Sequence, residues 1–212
     1  MSIECETIHK LARRLTRQKF PFDRLRIPLN GIYFLFERGE EGHQGERIVR
    51  VGTHTGENQL RARLKQHFLN ENKDRSIFRK NVGRAILNKG NDPFLESWEI
   101  DLTTRSARER YSSSIDLSYQ KRIEAEVSRY VQSNFSFCVF ELNSKEERLR
   151  IESRLISTIS LCEECKPSKT WLGNSSTKSK ITESGLWLVN ELYKTPFDAM
   201  GIEYLSVLMK SQ

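Results

Sequence analysis

The sequence predicts an α+β fold, in which a small mixed and mainly antiparallel sheet is flanked by helices, with helical additions at both ends of the chain. Short aromatic and β-branched runs predict strands, because such side chains suit a pleated, half-buried backbone. Longer segments with apolar residues three and four positions apart predict amphipathic helices. With 212 residues, of which 37% are hydrophobic, the chain is long enough for one domain with its own core.

Four short runs predict the strands of the sheet. Residues 31–36 and 47–52 predict a hairpin, whose connection is rich in Gly and Glu and longer than the minimal two-residue turn. Residues 94–102 alternate between apolar and polar side chains and predict a third strand. Residues 136–142 predict a fourth strand.

Helices are predicted wherever apolar residues recur at helical spacing. The predicted helical segments are 3–19, 58–69, 76–89, 118–133, 144–160, 184–194 and 198–210. Ser144 and Glu147 form a capping-box pattern at the start of the fifth segment. Residues 103–117 have no periodicity and predict a loop or an insertion, and 162–183 form a polar stretch.

The predicted organisation is a single domain over residues 1–212. Within it we expect a basic N-terminal helix in 1–25, a core with insertions in 26–176, and C-terminal helices in 177–212. The N-terminal helix is both basic and amphipathic, so two alternatives stay open: it lies on DNA, or it packs against the core.

The charge of the chain favours a polyanionic partner. Lys and Arg number 35 against 28 Asp and Glu, a net charge of +7, which suits nucleic acid, although a merely solvated basic surface stays open. No run approaches the roughly 20 apolar residues that a membrane span needs, and the N-terminus lacks a signal-peptide pattern. We therefore expect an intracellular, cytoplasmic protein with no membrane partner.

Four residues could together support phosphodiester hydrolysis, which needs an activated nucleophile, positive charge on the phosphate and usually a metal held by a carboxylate. Tyr33 lies in a predicted strand with its hydroxyl available. Arg63 and His67 are four residues apart and share one helix face. Glu152 lies near the apolar edge of its helix, where a carboxylate is costly to bury unless it is paired or binds a metal.

The sequence resembles the GIY-YIG nuclease family over residues 31–174. Motifs in the family's order carry the resemblance: Gly31-Ile32-Tyr33, Ile48-Val49-Arg50-Val51-Gly52, Leu60-x-x-Arg63-Leu64-x-x-His67, Glu152-x-x-Leu155-Ile156, and Asn174 after Trp171-Leu172-Gly173. The first three motifs together are the most specific, because Glu and Asn are common residues.

The resemblance implies a metal-dependent endonuclease that hydrolyses DNA. By this resemblance Glu152 would hold Mg²⁺ or another divalent ion such as Mn²⁺. Tyr33, assisted by His67, would act as general base or orient the attacking water. Arg63 would stabilise charge on the phosphate, and Asn174 would hold the site by hydrogen bonding.

Arg50 departs from the family pattern, which has Tyr at this place. An arginine stays protonated and cannot act as a base, but it can bind a phosphate through two hydrogen bonds. Either Tyr33 alone acts as base and Arg50 adds phosphate binding, or activity is weakened; the presence of the other site residues favours the first. His54, in an insertion of three residues after Gly52, and Lys65 complete the predicted substrate-binding residues.

The biological role is predicted only by analogy. A restriction-type enzyme, acting on DNA as a homodimer, fits a chain of this size, and 70–117 and 166–183 are the expected DNA-contacting regions. Alternatives are a DNA-binding protein with weakened or lost cleavage, a repair nuclease, and a nuclease directed at RNA.

The four cysteines do not predict a disulfide framework, because their spacing is uneven. Cys162-x-x-Cys165 has the spacing of half a zinc site. Cys5 and Cys138 are isolated in sequence and His43 lies in a predicted loop, so no second half is evident and ordinary cysteines are the favoured interpretation.

Overall fold

A four-stranded sheet with helices on both faces forms the centre of the structure, a computed structural model that describes residues 2–111 and 113–210. The strands are β1 (Gln18–Lys19), β2 (Gly31–Glu41), β3 (Glu46–Gly52) and β4 (Phe135–Glu141). Their order is β1-β4-β2-β3, and each described pairing is antiparallel. The predicted α+β class is confirmed.

The helices over the described ranges are α1 (Ser2–Arg14), α2 (Leu60–Phe68), α3 (Ile77–Lys89), α4 (Leu95–Glu99), α5 (Arg105–Tyr111), α6 (Leu117–Asn134), α7 (Lys145–Ser160), α8 (Ser179–Ser184) and α9 (Ala199–Lys210). Single 3₁₀ turns lie at Arg24–Arg26, Lys73–Arg75 and Leu172–Ser175. Across the same ranges, the helices are all too short or too polar to span a bilayer.

Strand β2 separates two apolar cores. Its alternate residues Ile32 and Phe34 face a core built with α1, α7 and α9. Tyr33 and Leu35 face the other core, built with α2, α3 and α6. Helix α1 therefore packs against the sheet, which is the second of the two alternatives for the basic N-terminal segment.

The strand predicted at 94–102 is wrong, because residues Leu95–Glu99 form helix α4. Trp98 in this helix is fully buried, and its Nε1 donates a hydrogen bond to the carbonyl oxygen of Lys80 in α3 at 3.0 Å. The alternation in the sequence matched a strand, but packing on α3 stabilises one helical turn instead.

The loop predicted at 103–117 is also wrong, since it contains helix α5. No residue of α5 is buried, so the helix has no apolar stripe for a sequence pattern to reveal. The hairpin connection is shorter than predicted: β2 runs to Glu41, and the Gly42 N–H bonds to the Gly45 carbonyl at 2.8 Å, which closes a two-residue turn.

The helix predicted at 184–194 is wrong. Helix α8 ends at Ser184, and Gly185 follows in the left-handed region at φ 69°, which ends a helix readily. The chain then runs beside the outer edge of β3, where the Trp187 N–H donates to the Val49 carbonyl at 2.8 Å. We call the residues after Gly185 the edge segment. Its backbone bonds to β3, where a helix would have bonded within itself.

Candidate active site

Two glycines allow close contacts at the open end of the β2–β3 hairpin, where Tyr33 lies. Tyr33 pairs directly with Gly52 across the two strands. A Cβ atom on Gly52 would lie 2.2 Å from the Tyr33 hydroxyl oxygen, so only glycine lets the ring lie there. A Cβ on Gly31 would lie 2.4 Å from the carbonyl oxygen of Phe140 in β4, so Gly31 allows the close approach of these strands.

Strand pairing places Arg50 on the same face of the sheet as Tyr33, next to a β-bulge. Leu35 pairs with Arg50, but the next residue of β2, Phe36, pairs with Ile48. Val49 is therefore the extra residue of the bulge. Because paired residues share a face, Arg50 lies on the Tyr33 side of the sheet.

Tyr33 and His67 form a fully buried hydrogen-bonded pair. The Tyr33 hydroxyl lies 2.7 Å from His67 Nε2. His67 Nδ1 lies 2.8 Å from Ser76 Oγ, which also accepts the Arg79 N–H as the N-cap of α3. Leu64 on α2 is buried in the same core and anchors the helix that carries His67.

His67 is a neutral imidazole. Burial lowers its pKa well below the usual value, and the nearby cations Arg63, Arg50 and Arg79 lower that pKa further. A neutral imidazole keeps one ring nitrogen as a proton acceptor. Because the imidazole is neutral, the Tyr33–His67 pair can accept one proton without first releasing one.

Arg50 covers the Tyr33 hydroxyl. Its Nε donates to the Tyr33 oxygen at 3.4 Å, and its Nη1 donates to the Trp187 carbonyl. Arg50 is itself only 4% exposed and Tyr33 is 0% exposed. The Tyr33 hydroxyl, expected to be available, is therefore shielded, because the guanidinium and α2 lie over it.

Glu152 extends from α7 toward Thr53, the residue that follows the end of β3. Its Oε1 accepts the Thr53 backbone N–H at 2.9 Å. Burial raises the pKa of the Glu152 carboxyl, opposed mainly by the positive charge of Arg50. Its neighbour Arg148 does not neutralise it, since the Arg148 guanidinium donates instead to the carbonyl oxygens of residues 142 and 143.

Two adjoining clefts meet at Glu152. The first, of about 330 Å³, is here called the proximal cleft and is lined by Thr53, His54, Thr55, Gly56, Gln59, Ala62, Arg63, Gln66, Leu149 and Glu152. The second, of about 570 Å³, is called the distal cleft and is lined by Arg50, Thr55, Arg63, Ile77, Asn81, Leu149, Glu152, Ile156, Leu188, Val189, Asn190 and Glu191. Arg63 and Glu152 line both clefts, so one cation and one carboxylate lie where the clefts adjoin and form one groove.

A basic pocket extends this groove. It has a volume of about 470 Å³ and is lined by Ile77, Arg84, Thr177, Lys178, Ser179, Lys180 and Val189. Ile77 and Val189 are shared with the distal cleft. Lys178 and Lys180 are exposed, so their charges face solvent at the end of the groove.

The other three residues predicted for the site, His54, Lys65 and Asn174, are already hydrogen-bonded or lie outside the clefts. His54 lines the proximal cleft, but its Nδ1 donates to the Gly56 carbonyl at 2.6 Å and its Nε2 accepts the Gly31 N–H at 3.4 Å. Lys65 and Asn174 are exposed, and neither is among the described residues that line the clefts. The Asn174 amide donates to the carbonyl oxygens of residues 168 and 169.

Asn81 and Asn190 line the distal cleft and were not predicted from the sequence. Asn81 lies in a predicted helix without any motif. Asn190 lies in the segment that was wrongly predicted as a helix. The edge packing of this segment against β3 was the missing information, and no local pattern carries it.

The donor set at the groove suits a hard divalent cation. The Glu152 carboxylate is an oxygen ligand of the type that Mg²⁺ prefers, and it is oriented by the Thr53 N–H. Burial disfavours its charge, so a bound cation would stabilise the ionised form.

A buried tyrosine–histidine pair beside a groove with arginine and glutamate defines a phosphodiester-cleaving class of site. The GIY-YIG domain family matches residues 5–212, so the chain belongs to this family of nucleases. Family membership implies endonuclease activity and a general dependence on divalent metal. Comparison with curated proteins and with solved structures gave no match.

Proposed function

We propose that this protein is a metal-dependent endonuclease that hydrolyses DNA. The observation that carries the proposal is that Arg63 and Glu152 line both clefts, beside the buried Tyr33–His67 pair. This arrangement supplies phosphate binding, a carboxylate ligand and a proton acceptor within one groove.

The scissile phosphate lies at the junction of the two clefts in this proposal. Glu152 would hold Mg²⁺ or Mn²⁺, which when bound polarises the phosphate and offsets its developing charge. Arg63 donates hydrogen bonds to phosphate oxygens from the opposite side. Its present bonds, to Gln66 Oε1 at 3.3 Å and to the Arg75 carbonyl oxygen at 3.5 Å, are to neutral groups and are readily exchanged for a phosphate.

Proton transfer uses the Tyr33–His67 hydrogen bond. Tyr33 takes a proton from the attacking water as its own proton moves to the neutral His67. The Arg50 guanidinium must first leave the Tyr33 oxygen, and a phosphate in the distal cleft offers it a charged partner in place of a neutral one. Arg50 would thus bind substrate and expose Tyr33 in the same movement.

The DNA backbone follows the groove from the distal cleft into the basic pocket. Lys178 and Lys180 provide two exposed cations there, within the region predicted to contact DNA. Arg84 is less available, because Glu99 already neutralises it. Restriction as the role, action as a homodimer and a cytoplasmic location stay predictions.

A plasmid-cleavage assay tests the proposal. Wild-type protein with Mg²⁺ or Mn²⁺ should nick or linearise plasmid DNA, and Glu152→Gln should lose cleavage while still binding DNA. Glu191→Gln is the matched control, since Glu191 lines the same cleft but is already paired with Lys194 at 2.7 Å. Cleavage by Glu152→Gln at the wild-type rate would refute the assigned metal ligand.

A second candidate is a DNA-binding protein that no longer cleaves. The shielding of Tyr33 by Arg50 favours it. In that case wild type binds DNA but does not cut it with any divalent metal, and Arg50→Tyr, which restores the family residue, raises cleavage. The proposed enzyme instead loses activity in Arg50→Tyr.

Parallel assays on duplex DNA, single strands and RNA identify the substrate.

A further inference from the structure

A cluster of cysteine and histidine side chains lies at the turn end of the β2–β3 hairpin, opposite the end that carries Tyr33. Cys5 comes from α1, His43 from the turn and Cys165 from the segment after α7, and their ligand atoms lie within 4.8 Å of one another and of a ring nitrogen of His9 in α1. Cys162, from the same segment as Cys165, lies beside His43. The three sulfurs are buried, and the His43 side chain is only 2% exposed. Three segments distant in sequence therefore converge on one buried point.

Two distances between the proposed ligand atoms match those of a tetrahedral zinc centre. Cys5 Sγ lies 3.6 Å from Cys165 Sγ, and Cys162 Sγ lies 3.4 Å from His43 Nε2. Zinc–sulfur bonds of about 2.3 Å and zinc–nitrogen bonds of about 2.0 Å place two sulfurs roughly 3.8 Å apart, and a sulfur and a nitrogen roughly 3.5 Å apart. A disulfide requires about 2.05 Å, so these cysteines are not bonded to one another.

His43, rather than His9, completes the set. His9 is buried in the same cluster, where its Nδ1 lies 3.7 Å from Cys5 Sγ and its Nε2 lies 3.8 Å from Cys165 Sγ. Its closer partners are backbone groups, since Nδ1 donates to the Cys5 carbonyl at 2.9 Å and Nε2 accepts the Ile48 N–H at 3.1 Å. Both of its ring nitrogens are thus occupied. His43 directs Nε2 toward Cys162, while its Nδ1 lies 3.6 Å from a Glu164 carboxylate oxygen, the outer partner typical of a metal-binding histidine.

The backbone at the turn is held in an unfavourable conformation that orients His43 inward. His43 and Gln44 have φ of 52° and 60°, the left-handed region in which Asn and Gly are preferred. Arg13 stabilises this conformation by donating to the carbonyl oxygens of His43, at 2.9 Å, and Gly42. Backbone strain that surrounding residues support in this way is typical of ligand sites.

The electrostatics of the cluster favour a bound cation. The three sulfurs are buried, and cysteine binds a metal ion as the thiolate. A divalent cation would offset the negative charge that three buried thiolates would otherwise carry.

We propose that Cys5, His43, Cys162 and Cys165 bind one structural Zn²⁺. Four protein ligands close the coordination shell, which is the mark of a structural and not a catalytic zinc. The ion would join α1, the β2–β3 turn and the segment after α7. Cys162-x-x-Cys165 provides the two ligands from that last segment.

Metal analysis of the purified full-length chain tests this site without any nuclease assay. Under reducing conditions we expect about one zinc per chain, and Co²⁺ exchanged for it should give the visible absorption of a tetrahedral thiolate site. Cys162→Ser and His43→Asn should lose the metal; Asn is chosen because it tolerates the left-handed turn. Cys138→Ser is the matched control, since this buried cysteine bonds to the Ala12 carbonyl outside the cluster, and it should retain the metal.

Two further measurements keep the proposal falsifiable if a variant does not fold. Wild-type protein stripped of zinc with a chelator should melt at a lower temperature and recover on zinc addition. Glu152→Gln should keep its zinc, which separates this site from the proposed catalytic metal, and His9→Gln should keep it also. Wild type that binds neither Zn²⁺ nor Co²⁺, or variants that bind them as well as wild type, would overturn the proposal.

Discussion

Arg50 is the residue that most distinguishes this site. A tyrosine at that position could exchange a proton, whereas the guanidinium only donates hydrogen bonds. Arg50 uses them on the Tyr33 hydroxyl and the Trp187 carbonyl, and its charge also opposes the burial penalty on Glu152. One side chain therefore connects Tyr33, the edge segment and the proposed metal ligand Glu152.

Tyr33→Phe should lower the cleavage rate by roughly 10²- to 10⁴-fold, the usual contribution of a general base. DNA affinity should not change, because the Tyr33 hydroxyl is buried in the free protein and contacts the attacking water, not the phosphate, in the proposed mechanism. Single-turnover cleavage and a separate binding titration measure the two effects. Tyr204→Phe, which removes the hydroxyl of an exposed tyrosine, should cut at the wild-type rate, and a fully active Tyr33→Phe would exclude the base role.

His67 should make stability depend on pH. Its folded pKa is lowered below the usual 6.5, so the unfolded chain binds this proton first and stability falls as the pH drops below about 6.5. Between pH 7 and pH 5 this costs up to about 2 kcal/mol. Urea unfolding at both values should show a smaller decline in His67→Gln than in wild type or Tyr33→Phe. An equal decline in all three proteins would contradict a buried neutral His67.

At the scale of elements, the two ends of the β2–β3 hairpin carry residues of the two proposed sites. Its open end carries Tyr33 and Gly52, and its turn carries His43. The edge segment is joined to the sheet by Glu37 of β2, whose Oε2 accepts the indole N–H groups of Trp171 at 2.7 Å and Trp187 at 2.8 Å. These tryptophans pack in the core built with α2, α3 and α6.

Gly31→Ala should destabilise the fold by about 1–3 kcal/mol, the usual cost of overpacking. The added Cβ would meet a backbone oxygen, which cannot rotate away as a side chain can. Gly90→Ala is the control, because its Cβ would find only ordinary contacts at 3.6 Å or more and its φ of −86° suits alanine. Chemical denaturation compares the two variants, and similar stabilities would refute the packing argument.

At the scale of the whole molecule, the chain carries a net charge of +7, and its basic residues Arg50, Arg63, Arg84, Lys178 and Lys180 line the groove or the basic pocket. The groove begins between α2 and α7, passes Arg63 and Glu152, and ends at the exposed lysines of the basic pocket. Long-range attraction should bring DNA to this face, and the effect should weaken as salt is added.

Replacing both Lys178 and Lys180 by Ala should weaken DNA binding and reduce the slope of log affinity against log salt by about 2, since each phosphate contact contributes about 0.9. Lys10→Ala with Lys210→Ala removes the same charge from α1 and α9, which line no part of the groove. Binding titrations at several salt concentrations distinguish the pairs. Equal losses in both double variants would show that net charge alone matters.

The local motifs were predictable because their chemistry depends on short spacing. Tyr33, Arg63 and His67 were identified from two motifs, and the structure brings Tyr33 and His67 within 2.7 Å of each other. Glu152 was identified from its place on an amphipathic helix and lies in the groove with Arg63. Asn174 followed a local match, yet its side chain is directed at its own loop. Its catalytic role stays a prediction.

The sequence by itself determined the α+β class, the helices with clear apolar stripes and the order of the nuclease motifs, because each depends on contacts within a few residues. Only the tertiary structure decided that Arg50 covers Tyr33, that residues after Gly185 follow the edge of β3, and that Cys5 meets Cys165. These contacts join segments far apart in the chain. Burial, charge pairing and backbone hydrogen bonding select them collectively, so no local pattern can encode them.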